Sequence, residues 1–190
     1  PFSGGCNLGT RTVEPHLSGL KHFGTNIVAE ADYYDVKNTP REVEKSILLT
    51  ERGDTTTENI IMAAALSGQT VTIRNASPNY MVQDVCFFLE KLGVKVKGIG
   101  TTTLTIHGLN SVSKDVEYAV SEDPIEAVTF VAVALVTNSE LSIKRAPIEF
   151  VELELETLRQ MGANIEISEE YFSYNGRTRL VDILVKKSKL

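Results

Sequence analysis

The sequence predicts an α/β fold made of repeated βαβαββ units, and three observations carry that expectation. Gly24, Gly93 and Gly162 recur at a spacing of 69 residues. Each closes a stretch with apolar residues at helical spacing and is followed by a short strand-like run. Between them, short strands alternate with helices at lengths that suit βαβ crossovers, which are right-handed almost without exception.

The three glycine-ended stretches read HLSGLKHFGTNIVAE, CFFLEKLGVKVKG and ELETLRQMGANIEIS. Leu20, Leu89 and Leu158 share the spacing, as do Phe23, Leu92 and Met161. A glycine just past the last helical residue stops a helix because it adopts the left-handed conformation without a Cβ clash. The first complete unit opens with a helix from Thr55 to Leu66, where Thr55 and Glu58 have capping-box spacing. A strand, QTVTIRN, comes next, then a helix from about Asn79 to Leu92, then a hairpin of VKVKG with TLTIHG across Gly98 and Gly100. In the second unit, PIEAVTFVAVALVT is the first helix and ELSIKR the strand. FVELELETLRQMG is its second helix, and NIEIS with YFSYN forms the expected hairpin. The first helix of each unit is apolar nearly all round, so it is expected to lie buried on every side beneath a sheet.

On this reading residues 1–120 hold the end of one unit plus one full unit, and residues 121–190 hold a further unit. Only 23 residues precede Gly24, too few for an opening helix and strand. Repeats bury their faces against neighbours, so the missing half-units are expected from the same or another chain.

Composition narrows the function. At net charge -6 and without a dense Lys/Arg run, the chain offers no basic face for nucleic acid or an anionic membrane. The longest apolar run, Ala127 to Val136, is too short to span a bilayer. The two cysteines, Cys6 and Cys86, are far apart and give no disulfide framework, which points to a reducing cytoplasm. Cys86 shares a helical face with Val82, Val85, Leu89 and Leu92 and reads as core. His22 and His107 have no carboxylate or cysteine neighbours at ligand spacing, so no metal site is expected.

The segment SGGCNLGTRTVEPHLSGL is the leading functional candidate. Gly4, Gly5 and Gly9 surround Cys6 and let the backbone approach a ligand closely. Thr10 or Thr12 can cap the next helix, with Pro15 in its tolerated first turn. The helix N-terminus favours anions and depresses a nearby thiol pKa. Arg11 can clamp a phosphate or carboxylate bidentately, and His16 stands one turn further on. The plain alternative is a glycine-rich turn with an incidental cysteine and a solvated arginine.

Together the repeat and this loop resemble the enolpyruvyl transferases, in particular those whose loop reads approximately PGGCxIGxRPVDLHIxGLexLGA. The matching residues are Gly4, Gly5, Cys6, Gly9, Arg11, Val13, His16, Gly19, Leu20 and Gly24. The similarity continues through TTTENIIMAAALSGQTVTIRNAS and IEAVTFVAVAL. The shikimate branch shares the repeat but lacks the loop cysteine. The resemblance implies an inside-out α/β barrel of two lobes, three units each, of which this chain would be an incomplete part. It implies transfer of the enolpyruvyl group of phosphoenolpyruvate to the 3-hydroxyl of UDP-N-acetylglucosamine, with release of phosphate and no cofactor or metal. Cys6 would be the general acid, open to alkylation by fosfomycin ahead of Cys86. Arg11 would contact the anionic substrates, and Arg11, Thr12, Val13, Glu14 and Pro15 would line the nucleotide-sugar site with His16.

A second acceptor segment would be Glu51, Arg52, Gly53 and Asp54, where the family has Lys-x-Ser-Val-Gly and this chain continues to Thr55. Glu51 sets a negative charge where the UDP diphosphate is expected. If the segment is a strand, Arg52 points to the opposite face. Pro124 replaces an arginine of the family's PDRIETGT, and Thr12 replaces a proline. These departures keep two alternatives open: a divergent transferase with another acceptor, and a non-catalytic module that kept the fold.

Overall fold

The computed structural model describes residues 12–30, 33–39 and 42–188 and divides the chain into two units, Pro1–Glu117 and Tyr118–Leu190. The first unit runs α1 (Glu14–Lys21), β1 (Thr25–Ala29), β2 (Tyr34–Asn38), β3 (Ser46–Leu48), α2 (Asp54–Ala65), β4 (Thr70–Arg74), α3 (Tyr80–Leu92), β5 (Lys95–Lys97) and β6 (Thr103–His107). The second runs α4 (Pro124–Val136), β7 (Leu141–Pro147), a 3-10 turn at Ile148–Phe150, α5 (Glu152–Gln160), β8 (Ile165–Ile167), β9 (Tyr171–Phe172) and β10 (Arg179–Val185).

All three repeat glycines are left-handed, with φ of 84° at Gly24, 102° at Gly93 and 105° at Gly162. Val94 N donates to Leu89 O and Ala163 N to Leu158 O, both at 3.0 Å, so two helix ends 69 residues apart close alike. The two sheets share a topology. In the first unit the order is β3-β4-β6-β5, with β3 parallel to β4 and β6 antiparallel to both its neighbours. In the second it is β7-β10-β8, antiparallel throughout. In both, the last strand of the unit inserts between the strands that flank the second helix.

The expected hairpin of NIEIS with YFSYN does not form. β8 and β9 lie along β10 instead, with Ile167 opposite Ile183 and Tyr171 opposite Leu180. β10 is the better partner because Leu180, Val181, Ile183 and Val185 are all buried, whereas Tyr171 and Phe172 are exposed. The capping box is also absent. α2 begins one residue early, at Asp54, with Gly53 as N-cap and no side-chain cap bond, so Thr55 stands inside the helix.

Alternation sets the core. Ile47, Val71, Ile73, Val96, Leu104 and Ile106 point from one sheet face onto Ile60, Ile61, Ala64, Val82, Cys86 and Leu89. The other face is polar, where the Thr72 and Thr105 hydroxyls meet at 3.3 Å. α1 crosses α2 so closely that a Cβ on Gly19 would come within 2.5 Å of Ile60 Cδ1, but α2 is not buried on every side, since Met62 is 46% exposed and Leu66 60%. α4 differs from the expectation of burial on every side. Ala127, Val131, Ala134 and Leu135 are buried against their own sheet, but Ile125 is 65% exposed and Val136 81%. One sheet covers one face of a helix, and among the described residues of this unit nothing covers Ile125 or Val136 on the other.

Opposite Asp182 the pairing of β10 with β7 shifts register, and β7 bulges at Lys144 and Arg145. Arg145 is left-handed, with φ 62°. Asp182 accepts from Lys144 Nζ at 2.8 Å, from Tyr171 Oη at 2.7 Å and from Arg145 N at 3.1 Å. Chiefly the Lys144 bond, then that of Tyr171, holds its carboxyl down to about 2. A depressed carboxylate stabilises the fold above its unfolded pKa of about 3.9 and loses that contribution as pH falls through the folded value. Asp182→Asn should therefore lower Tm at pH 7, and the gap to wild type should close between about pH 4 and pH 2. Thermal melts across that range check it, and a gap independent of pH would remove the charge as its cause.

Candidate functional site

Cys6 and Arg11 lie outside the described residues, so the site is built from Thr12 onward. Thr12 Oγ1 accepts from Glu14 N at 3.1 Å, which satisfies one unpaired amide at the start of α1. Val13 stands at the N-cap and Pro15 in the first turn. Thr12, Val13 and Glu14 are exposed, and Pro15 and His16 are half-buried. His16 Nδ1 lies 2.8 Å from Asn59 Nδ2 on α2. With the amide donating, the neutral ring carries its proton on Nε2. His16 therefore ties α1 to α2 through one nitrogen. The sequence alone does not single out Asn59, although the TENI run places it one turn into the helix.

Residues 49–53 form a loop between β3 and α2, which corrects the strand geometry considered for Glu51 and Arg52. Arg52 donates from Nε and Nη2 to Asn75 Oδ1, at 3.2 and 3.0 Å. Asn75 Nδ2 donates to Leu49 O at 3.1 Å. Glu51 and Arg52 are exposed. Gly53 is the N-cap, and a Cβ there would stand 3.0 Å from Glu51 Oε1. Asp54 is half-buried, and each of its carboxylate oxygens already accepts a bond. Its Oδ1 accepts from Ser77 Oγ at 2.5 Å and its Oδ2 from Asn79 Nδ2 at 2.8 Å. Nearby, burial and then the Asp54 charge push the Glu58 carboxyl up. The structure thus brings Glu51, Arg52, Gly53 and Asp54 together at one edge, where α2 and α3 both begin. Asn75, Ser77 and Asn79 complete that edge. Their legible signal was the Asn-Ala pair ending a strand and the asparagine before a helix.

The second unit carries a cavity of about 460 Å³ lined by Glu122, Asp123, Glu126, Phe130, Lys144 and Arg145 among others. Arg145 pairs with Glu122, which also accepts from Ser173 Oγ at 3.0 Å, and stacks 4.3 Å from the Tyr174 ring centroid. Pro124 is buried at the start of α4, below the Asp123 cap. Among the described residues, no three His, Cys, Asp or Glu side chains gather as metal ligands, and no helix is long and apolar enough to cross a membrane.

A family model described as EPSP synthase (3-phosphoshikimate 1-carboxyvinyltransferase) matches residues 1–188. The chain is 33% identical over 186 residues to UDP-N-acetylglucosamine 1-carboxyvinyltransferase 2 of Caldanaerobacter subterraneus subsp. tengcongensis, covering 97% of this chain and 44% of that protein. It is 34% identical over 176 residues to UDP-N-acetylglucosamine 1-carboxyvinyltransferase of Hydrogenovibrio crunogenus, covering 93% and 42%. The chain thus spans less than half the length of these relatives. Among solved structures, the enolpyruvyl transferase NikO from Streptomyces tendae superposes with a TM-score of 0.73 at 18% identity, over 91% of this chain and 41% of that one. EPSP synthase from Acinetobacter baumannii gives 0.71 at 20% identity, over 94% and 40%. These likenesses show an enolpyruvyl-transferase type of fold.

Cys86 is fully buried on α3, and burial, with the Glu90 charge second, pushes its thiol up to about 12. An alkylating reagent at pH 7.5 should leave Cys86 unmodified in the folded protein and label it only after denaturation, as peptide mass spectrometry would show. Labelling of Cys86 ahead of Cys6 in folded protein would reverse that order.

Proposed function

The chain belongs to the EPSP synthase (3-phosphoshikimate 1-carboxyvinyltransferase) family, and from that premise we propose that it forms part of a carboxyvinyl transferase of peptidoglycan precursor synthesis. The acceptor is UDP-N-acetylglucosamine, and the donor is phosphoenolpyruvate. One observation carries this reading: the glycine-flanked Cys6 and Arg11 stand in a chain whose curated relatives, matched over nearly all of it, bear that enzyme's name.

In this reading the acceptor hydroxyl adds to the enolpyruvyl group and phosphate leaves. Cys6 is the general acid in this reading, because a thiol exchanges its proton readily near neutral pH. Arg11 meets the charge on phosphate and carboxylate bidentately. Thr12, Val13, Glu14 and Pro15 line the nucleotide sugar at the start of α1, and the His16–Asn59 contact holds that helix on α2. Residues 50–53 approach the diphosphate. Further repeat units complete the site, and the reaction is cytoplasmic, in keeping with the two separated cysteines.

A second reading, a divergent transferase with another acceptor, is favoured by one contact. The family's lysine is Glu51 here, and the adjacent cation, Arg52, is engaged by Asn75. Phosphate release from phosphoenolpyruvate by the complete protein decides between them. UDP-N-acetylglucosamine should support release and shikimate 3-phosphate should not. Release with another acceptor alone would establish the second reading, and none with any acceptor would leave a non-catalytic module. Glu51→Lys should tighten UDP-N-acetylglucosamine binding by about 1–3 kcal/mol if it restores a charge-assisted phosphate contact. Calorimetric titration of both proteins measures it, and equal affinities would place Glu51 away from the diphosphate.

A further inference from the structure

We infer that Asp54 and Asn79 form a polar latch that positions the loop of residues 50–53, so that Asp54 acts on acceptor binding through the loop without touching the acceptor. The inference rests on the transferase reading above.

Asp54 is the first residue of α2, and Asn79 is the N-cap of α3. The Asp54 carboxylate therefore lies between two helix N-termini, whose partial positive charge favours it. Both its oxygens are taken, Oδ1 by Ser77 Oγ and Oδ2 by Asn79 Nδ2. Asn79 cannot turn its amide over without cost, because its Oδ1 accepts from Tyr80 N at 2.7 Å. A second strand of bonds runs beneath. Ser77 N donates to Thr57 Oγ1 at 3.0 Å, and Thr57 Oγ1 donates to Gly53 O at 2.7 Å. Thr57 and Ser77 are buried, so these bonds compete little with water. At its other end the loop is tied by Leu49 N to Arg74 O at 3.0 Å and by Asn75 to Leu49 and Arg52. A loop of this length, pinned at both ends, holds Glu51 and Arg52 in one place. The latch is the pin nearer to the helix.

The pairing has a direction that mutation can reverse. Asp54→Asn can keep an oxygen on the Asn79 amide only by turning its own NH₂ onto Ser77 Oγ, which then loses its acceptor, and Asn79→Asp sets carboxylate against carboxylate. Asp54→Asn combined with Asn79→Asp restores one donor facing one acceptor, keeps a capping oxygen for Tyr80 N and leaves the net charge unchanged.

Steady-state kinetics of the complete protein with phosphoenolpyruvate and UDP-N-acetylglucosamine provides the test. Each single variant should raise the acceptor KM about tenfold, the size of a lost hydrogen bond to a charged group, with the phosphoenolpyruvate KM held within about twofold. The double variant should return the acceptor KM to near the wild-type value. Unchanged acceptor KM in the single variants, an equal rise in both substrates' KM, or no recovery in the double variant would each overturn the latch. If the wild-type protein transfers nothing to any acceptor, the transferase reading fails by itself. The latch is then read by amide hydrogen exchange of the complete protein. Exchange at residues 50–53 should quicken in each single variant and slow again in the double, and exchange that stays at the wild-type rate would refute it.

Discussion

Asn75 and Arg145 are held in left-handed backbone at the same φ, 62°, each immediately before a fully buried alanine, Ala76 or Ala146. For an ordinary L-residue this conformation costs ~1–2 kcal/mol, so the surroundings must supply compensating bonds. In both units the compensation comes from the residue just ahead of a helix N-cap. Arg52 precedes Gly53 and bonds the Asn75 side chain, and Glu122 precedes Asp123 and pairs with Arg145. The bend thereby ties the strand that follows a helix, β4 or β7, back to the start of that helix, α2 or α4. Asparagine tolerates the bend well. Arginine does not, and there the bulge recruits Asp182 to the Arg145 amide as well.

That tie decides what the helix ends present. In the first unit α2 and α3 start at one edge, close enough for Asp54 to meet Asn79. Two helix N-termini and Arg52 make the edge attractive to anions. Asp54 and Glu51 work against that attraction, and Glu58 retains its proton more readily than a free glutamate because it is partly buried beside Asp54.

The repeat was legible because glycine leaves an unambiguous mark. All three glycines are left-handed; α3 ends on the residue before its glycine, α5 one residue short of that position and α1 two residues short. The packed face of α3 was legible for the same reason, since Val82, Cys86 and Leu89 recur at helical period and are buried. What failed to show was whatever depends on partners distant in sequence. YFSYN alternates well enough to suggest a hairpin, but only the later run RLVDILV offers a buried strand. The uniform apolarity of α4 specifies how much surface asks for cover without saying which face its own sheet will take. In the site, Cys6 and Arg11 were readable as types at a spacing. The engagement of Asp54 by Ser77 and Asn79 was not, because it joins positions 23 and 25 residues apart.

Identity to the solved structures is 18% and 20%, yet both TM-scores exceed 0.7. Similarity of fold at this identity does not carry the chemistry of a site. The two bends of this chain share a pattern: a residue in left-handed backbone, a buried alanine after it and a polar partner just ahead of a helix N-cap. Within this one chain the pair Arg52–Asn75 becomes Glu122–Arg145, with the sign of the partner reversed, while the φ value stays the same. A position that tolerates charge reversal at constant geometry preserves the fold without preserving the chemistry. Glu51 stands one residue from such a position, in a loop tied at both ends. Its role has to be read from the bonds that fix its loop, and these run through Asn75 at one end and Asp54 at the other.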